Sequence, residues 1–465
     1  MSAAWTLTID QGGHGTRALV FDPHGHEQAR AHCEIGVHRH GADCVEHDAA
    51  EVLRSVDEVL AAAIAASPTC PERVGLATQR SSIVCWQRST GTPLSPVISW
   101  QDRRAAALLA KCVAGRDDEV RTRTGLIPSP HFGASKLRWC LDELPAVQQA
   151  QGDVVIGPLA SFIAQHLTGG PPVVDAANAA RTMLWNVDDC DWDKVLLSWF
   201  GIPAGLLPAT AHTCSDFGPL RDHPMELCAV SGDQSAALFA DGEPTAGDVF
   251  VNLGTGAFLQ RVAAVEQRPA RLPRSVVLQD EAGARCVVEG TVNGAAAALS
   301  WWRAERQLDA AELRAALPGW LEQRLDPPVF VNGVSGLGSP DWISHFPSRF
   351  VGADATLAEE AVAVIESIVF LIARNLDEME QTCGAPDEIV VAGGLSRLSG
   401  LCQRLANLTA TAVVRRDHDE ATARGIAYLA TASRDRWQPS PTSAFVPASD
   451  PDLRRRYDLW RRQMP

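Results

Sequence analysis

No Cys-x-x-Cys pair occurs in the chain: its 12 cysteines stand singly from Cys33 to Cys402. That spacing fits neither a zinc ribbon nor a disulfide framework, so reduced and mostly buried thiols are expected. No window of about twenty residues is free of charge or turn formers. The most apolar helical stretch, Leu357 to Leu376, carries Glu359, Glu360, Glu366 and Arg374, and reads as a core helix, not a membrane span. The opening residues Met1-Ser2-Ala3-Ala4-Trp5 lack the basic segment of a secretory signal, and the cytoplasm is the expected compartment. Positive charge is also short, with 41 Lys and Arg against 56 Asp and Glu and a formal net charge of -15. A chain of that sign repels nucleic-acid phosphates and anionic membranes, which argues against both as partners.

What is present is a globular balance, 46% apolar and 21% charged, over 465 residues. That length exceeds one ordinary core and implies two domains with a cleft between them. No low-complexity linker marks the division. The interruption Arg221-Asp222-His223-Pro224 precedes a new strand, so the expected domains are 1–225 and 226–465.

The first thirty residues read as an antiparallel meander: Thr6 to Asp10, a glycine-rich turn, Arg17 to Asp22, the turn Pro23-His24-Gly25, then Glu27 to Ala31. Val52, Val56, Val59, Leu60, Ala63 and Ile64 share one helical face, with Asp48 and Glu51 as a capping pair and Pro68 as the stop. Strand Val74 to Thr78 follows. The second half repeats this outline, with strands Leu227 to Ser231 and Val249 to Leu253, the turn Gly254-Thr255-Gly256, and strand Phe258 to Ala263. A helix from Leu357 begins at a Thr356–Glu359 capping pair, and the apolar run Ile389 to Ala392 enters Gly393-Gly394. Two glycine-turn hairpins in one chain suggest duplicated halves.

In Asp10-Gln11-Gly12-Gly13-His14-Gly15-Thr16-Arg17, three glycines let backbone N–H groups approach an anion, and Thr16 and Arg17 can donate to phosphate oxygens. Asp10 could hold Mg²⁺ through water. An ordinary hairpin turn fits the same residues. No Gly-Lys-Ser/Thr follows and the chain continues into a strand, which excludes both a Walker A loop and a dinucleotide fingerprint. Gly254, Thr255 and Gly256 offer a second cradle, and two cradles could clamp one polyphosphate.

Phosphoryl transfer to an alcohol needs a carboxylate that takes the hydroxyl proton. Asp233, in Ser231-Gly232-Asp233-Gln234, stands between an apolar strand and a helical run, where it serves equally as a projecting base or as a helix N-cap. Arg80 ends Thr78-Gln79-Arg80, and Trp100 opens Trp100-Gln101-Asp102-Arg103-Arg104. Polar groups beside one aromatic plate suit sugar hydroxyls; taken singly, the two residues read as a surface ion-pair partner and a core filler.

These segments, in order, resemble the FGGY carbohydrate kinases of the actin-like ATPase superfamily, glycerol kinases most nearly. The likeness runs through Ile9-Asp10-Gln11-Gly12, Thr16 to Asp22, Thr78-Gln79-Arg80, Trp100 to Arg104, Thr124-Gly125-Leu126 and Asn178 to Thr182. It continues through Gly232-Asp233-Gln234, Gly254-Thr255-Gly256, Ser335 to Pro340 and Gly393-Gly394. The resemblance implies an α/β fold of two ribonuclease H-like domains with ATP and acceptor in the interdomain cleft. It further implies Asp233 as general base, and Asp10 with Asp233 near Mg²⁺. Gly12, Gly13, Thr16 and Arg17 would line the first phosphate loop, Gly254, Thr255 and Gly256 the second, and Ala296, Gly393 and Gly394 the adenosine. Arg80, Ser81, Trp100, His131, Asp233, Gln234 and Phe258 fall where that family builds its acceptor pocket. A homodimer stays open as the state of assembly.

The sequence departs from the glycerol kinase pattern at several of these positions. Gly13-His14-Gly15 replaces hydroxyl-bearing residues of the phosphate loop. Ser81 stands where glycerol kinases have Glu, and His131 where they have Tyr. Ala296 replaces a close-approach Gly and Ser300 a Gln. Losing a charge-assisted acceptor at Ser81 opens space for a larger polyol or a ketose. The two expected readings are an active polyol or ketose kinase, and a nucleotide-binding regulator that kept the clamp but lost transfer. A chaperone or filament ATPase would need no Arg80 and Trp100 at an acceptor pocket.

Overall fold

The computed structural model describes residues 4–150, 152–264, 266–352, 354–417 and 420–465. The chain forms two compact units. The first comprises Met1–Pro244, Arg274–Cys286 and Glu420–Pro439; the second comprises Thr245–Pro273, Val287–Asp419 and Ser440–Pro465.

The first unit opens with β1 (Thr6–Gln11), β2 (Gly15–Phe21) and β3 (Glu27–Glu34), paired antiparallel as a meander. Helix α1 (Ala49–Ala66) follows, with Asp48 accepting from the Glu51 amide and Ser67 closing its C-terminus just before Pro68. Its Val52, Val56, Val59 and Ala63 are buried in one core with Leu7 and Ile9 of β1. Strand β4 (Arg73–Thr78) lies parallel to β1. Helix α2 (Gly133–Glu143) joins a separate core beside a second sheet, built from Ile83–Gln87, Val97–Ile98 and Val154–Pro158 among others. Strand β5 (Glu226–Gly232) returns parallel to β4 and runs into the short helix α3 (Asp233–Ala237). The sheet order is therefore β5–β4–β1–β2–β3. A division at residue 225 separates β5 from the sheet it joins; main-chain pairing with β4 sets β5 and Asp233 in the first unit.

The second unit repeats the pattern. A hairpin of β6 (Asp248–Leu253) and β7 (Ala257–Ala263) pairs antiparallel, with β8 (Gly283–Val292) beside β7. The long helix α4 (Leu357–Cys383) precedes β9 (Glu388–Ala392), which lies parallel to β6, and β10 (Ala412–Arg416) lies parallel to β9. Within a seven-stranded sheet, the inner run β10–β9–β6–β7–β8 follows the same order as the five strands of the first unit, with Thr442–Phe445 beside β10 and Arg274–Asp280 beside β8. The two glycine hairpins thus occupy equivalent central positions in duplicated sheets.

Thr356 and Glu359 form a reciprocal capping box at the start of α4. Most of the helix is buried, and among the described residues no helix is long and apolar enough to cross a membrane. The buried Glu366 of α4 is held by two 2.7 Å hydrogen bonds from Arg456 and one of 3.3 Å from Arg404. Removing one partner of such a pair strands the other charge in the interior. Glu366→Ala is expected to lower stability by about 3–5 kcal/mol, read by urea denaturation; a midpoint equal to that of the parent chain would discount the ion pair.

All 12 cysteines are free thiols. Five are buried, six are partly buried and Cys70 is exposed, which corrects the expectation of mostly buried thiols. Several fall at element ends and loops, such as Cys70 between α1 and β4, where the chain meets solvent.

Candidate active site

Parallel strands end on the same edge of a sheet, and β1, β4 and β5 deliver their C-terminal residues together. In register, Gln11 of β1 faces Thr78 of β4, and Thr78 faces Gly232 of β5. Asp10, Gln79, Arg80 and Asp233 all emerge at this edge. Gly232 permits the crowding: a Cβ there would lie 2.3 Å from Arg80 Cγ.

Asp233 is the first residue of α3; Gly232 takes the N-cap position, and the Asp233 carboxylate accepts from the amides of Gln234 and Arg80. Its Oδ1 lies 3.7 Å from Arg80 Nε, with Arg80 almost wholly buried and Asp233 partly open. Burial raises the Asp233 pKa above the ordinary carboxylate value, while the charge of Arg80 opposes the shift. Asp10, facing Arg17 across the β1–β2 ladder, is pushed up to about 7 by burial and by the negative charge of Asp233. Arg17 pulls in the other direction from 3.9 Å, and its guanidinium also pairs with Glu420 at 3.5 Å.

Both carboxylates are shifted upward, by burial in each case and for Asp10 also by the charge of Asp233, and a divalent cation relieves such a shift. Among the described residues no group of three His, Cys, Asp or Glu side chains forms a metal cluster.

The first glycine turn closes with Gly12 N–H donating to Gly15 O at 2.9 Å. Gly15 cannot carry a side chain, since a Cβ would sit 2.7 Å from His32 Nε2 and 2.8 Å from Cys33 O. A Cβ at Gly13 meets nothing nearer than Gln79 Oε1 at 3.8 Å and Trp100 Nε1 at 3.9 Å, so this glycine is not dictated by space. Arg17 points outward and half-exposed, as a phosphate donor requires. Thr16 requires a correction: alternation along β2 turns its side chain inward, where it is fully buried and hydrogen-bonded to Ser55 Oγ of α1 at 2.6 Å. Its hydroxyl serves the core and not the turn.

On the acceptor side, Trp100 and His131 have ring centroids 5.6 Å apart, and His131 meets Phe132 edge-on at 5.1 Å. Burial and the cations Arg181, Lys136, Arg103 and Arg80 hold His131 well below its ordinary pKa, so its imidazole is neutral near pH 7. Ser81 has φ +67°, is buried, and its Oγ has no hydrogen-bond partner. Asp102 is spent within the fold, on Arg104 and the Val45 amide.

A hydrogen-bond chain that the sequence did not announce ties the glycine turn to this group. Gln11 and Gln79 both donate to Gly12 O, Ser82 donates to Gln79 Oε1, and Trp100 N–H donates to Ser82 Oγ. Lys136 is likewise new to the site. Its only sequence signal is a lysine among Gly133, Ala134, Leu137 and Cys140 on a buried helical face. Gly425, of the helix Ala421–Ala430, supports α3 from behind: a Cβ there would lie 1.8 Å from Ala236 O.

In the second unit, the turn Gly254-Thr255-Gly256 closes with Gly254 N–H donating to Gly256 O. The amides of Ala296 and Ala297 donate to Gly254 O and Thr255 O, so Ala296 braces the turn at a helix start. Thr255 is exposed and Phe258, opposite Asn252, is partly buried. Gly393, with φ +89°, passes so close to the end of β6 that a Cβ would sit 2.6 Å from Asn252 Oδ1. Gly394 faces open space. This unit therefore brings Gly254, Thr255, Gly256, Ala296, Gly393 and Gly394 to one strand edge, equivalent to the edge that carries Asp10 and Asp233 in the first.

The chain matches the N-terminal domain of the FGGY family of carbohydrate kinases over residues 5–236 and its C-terminal domain over residues 249–434. It is 32% identical to glycerol kinase from Alcanivorax borkumensis, covering 98% of this chain and 97% of that protein. It is 34% identical to glycerol kinase from Rhodospirillum rubrum, covering 91% and 89%. Among solved structures, Plasmodium falciparum glycerol kinase with ADP superposes with a TM-score of 0.90 at 21% identity, over 99% of this chain and 97% of that chain. Gluconate kinase from Lactobacillus acidophilus gives 0.87 at 19% identity, over 99% and 98%.

Proposed function

The chain belongs to the FGGY family of carbohydrate kinases, and from that premise we propose that Asp233 takes the proton of a small polyol or ketose hydroxyl as that oxygen receives the terminal phosphate of ATP. The fold is that of the two-domain, actin-like carbohydrate kinases, and the protein is an ATP-dependent phosphotransferase. The observation that carries the proposed role is the setting of Asp233: a strand-end carboxylate, partly open, of raised proton affinity, with Arg80 and Asp10 around it. A base of this kind accepts a proton more readily than a free carboxylate does.

Asp10, with Asp233, would hold Mg²⁺, whose charge neutralises the developing negative charge on the phosphoryl oxygens. Gly12 and Arg17 on the first unit's hairpin supply backbone and guanidinium donors for phosphate oxygens, and Gly254 to Gly256 form the equivalent cradle on the hairpin of the second unit. Gly394, which faces open space, leaves room for the nucleoside, and Gly393 lets the chain pass close to the end of β6. Arg80, Trp100 and His131 line the acceptor, and the unpartnered Ser81 hydroxyl is free to bond one of its oxygens.

Ser81 and His131 favour an acceptor longer than glycerol, of the ketopentose or alditol kind, over glycerol itself. The experiment is a panel of glycerol, trioses, pentuloses, hexuloses and alditols with Mg-ATP, reading ADP release. ADP release with no member would support the regulator reading, motivated by the hydroxyl-free Gly13-His14-Gly15. Ser81→Glu is expected to raise kcat/KM for glycerol relative to the preferred longer acceptor by about tenfold or more, since each charge-assisted hydrogen bond contributes about 1.5–3 kcal/mol. An unchanged ratio would remove Ser81 from the acceptor pocket.

A further inference from the structure

Lys136 is fully buried on the inner face of α2, where a side chain chosen for packing alone would be apolar. Burial pushes its ammonium down to about 7 against the opposing charge of Asp102. Its Nζ donates to three backbone carbonyls: Ser81 O at 2.8 Å, His131 O at 2.9 Å and Ser99 O at 3.0 Å. An ammonium has three N–H donors, and each is matched.

The three carbonyls lie on separate connections. Ser81 follows Arg80 after β4, Ser99 precedes Trp100 after Val97–Ile98, and His131 precedes α2. These are the connections that carry the acceptor-lining side chains. Ser81 keeps a left-handed backbone, which a non-glycine residue holds only where its surroundings fix it. Ser82 adds a bond to the Trp100 amide, so two of the three connections are tied twice.

We propose that Lys136 is a positioning residue for acceptor recognition: by joining the Ser81, Ser99 and His131 carbonyls it sets the spacing of Arg80, Trp100 and His131, and it acts on the acceptor and not on the nucleotide. The inference rests on the reading of these residues as the acceptor pocket. Its geometry is specific to lysine, because a methionine fills the same volume with no donor, and a guanidinium is planar and cannot direct three N–H groups around a pyramid.

The test is the steady-state kinetics of Lys136→Met and Lys136→Arg in the full chain, with glycerol and D-xylulose as probe acceptors, beside amide hydrogen exchange. For Lys136→Met the expected result is an acceptor KM at least tenfold higher, an ATP KM within twofold of the parent, and faster exchange at the amides of Ser82, Trp100 and Phe132 with α1 and β1 unchanged. Lys136→Arg, which keeps the charge, should show the same split in smaller measure and carries the test if the Met variant does not fold. Acceptor and ATP KM rising together, or exchange quickening throughout the unit, would reduce Lys136 to a core residue. If exchange at the three amides is unmoved, the inference fails whatever the acceptor. Asp233→Asn assayed in parallel separates the two claims: normal turnover there overturns the pocket reading, whereas an inactive Asp233→Asn beside an unmoved acceptor KM in Lys136→Met overturns this inference alone.

Discussion

Asp233→Asn is expected to lower kcat by about 10²–10⁴-fold, the range a positioned general base supplies, while the KM for ATP stays near that of the parent chain. The amide matches the carboxylate in shape and can still accept from the Gln234 amide, so the local fold is retained. What it loses is the capacity to take the proton. Two further readouts give the prediction its force. The parent kcat/KM should rise with pH as Asp233 and Asp10 ionise, since both carboxyls are shifted upward and only the ionised Asp233 can act as base. Asp233→Asn should also lower the pKa of Asp10 by removing the negative charge that helps to raise it. A variant that keeps normal turnover ends the case for Asp233 as the base.

The second large effect concerns Asp10. Asp10→Asn should reduce kcat by about 10²-fold or more, since it removes a charge-stabilising partner of the transferring group, and should at the same time stabilise the apo protein above neutral pH. The sign follows from linkage. The folded-state pKa of about 7 lies above the ordinary 3.8, so below pH 4 the carboxyl is protonated in both states and nothing is lost. As pH rises from there towards 7, the unfolded chain ionises first, and folding stability falls by up to about 1.4 kcal/mol per pH unit before levelling. Asparagine cannot ionise and escapes that loss. In EDTA the Tm of Asp10→Asn should therefore exceed that of the parent at pH 8 by a few degrees, with the gap closing towards pH 4. Mg²⁺ should narrow the gap at pH 8 by stabilising the parent alone. Equal melting temperatures at pH 8 would show that Asp10 carries no such strain.

Such strain belongs to function, because a core designed for stability alone would not set two carboxylates at one buried strand edge. The neighbouring glycines show the same logic. Gly15, Gly232 and Gly425 each stand where a Cβ would strike a neighbour: His32 and Cys33 of β3, Arg80 at the edge itself, and Ala236 of the helix that begins at Asp233.

Much of this was legible in the sequence. The meander, the α1 face with its Asp48 cap, the α4 capping box and the repeated glycine hairpin are local features, written in periods of two and 3.6 residues and in short capping patterns. Asp233, Arg80 and Trp100 were visible as polar or aromatic residues at strand ends, and His131 came only through the family resemblance. Thr16 was misread because a hydroxyl in a glycine-rich turn looks like a donor, whereas strand alternation and Ser55, 39 residues away, draw it into the core.

What the sequence determined by itself was therefore the glycine hairpins, the capped helices α1 and α4, the repeat of the hairpin and the family resemblance, because these are written in residues a few positions apart. The tertiary structure alone decided which distant residues share an edge. The segment Glu420–Pro439 packs into the first unit, where Glu420 meets Arg17 and Gly425 meets Ala236; Lys136 reaches three connections at once. Such meetings are set by long-range strand pairing and by close packing of side chains from separate elements, and neither leaves a period or a spacing in the sequence for the eye to find.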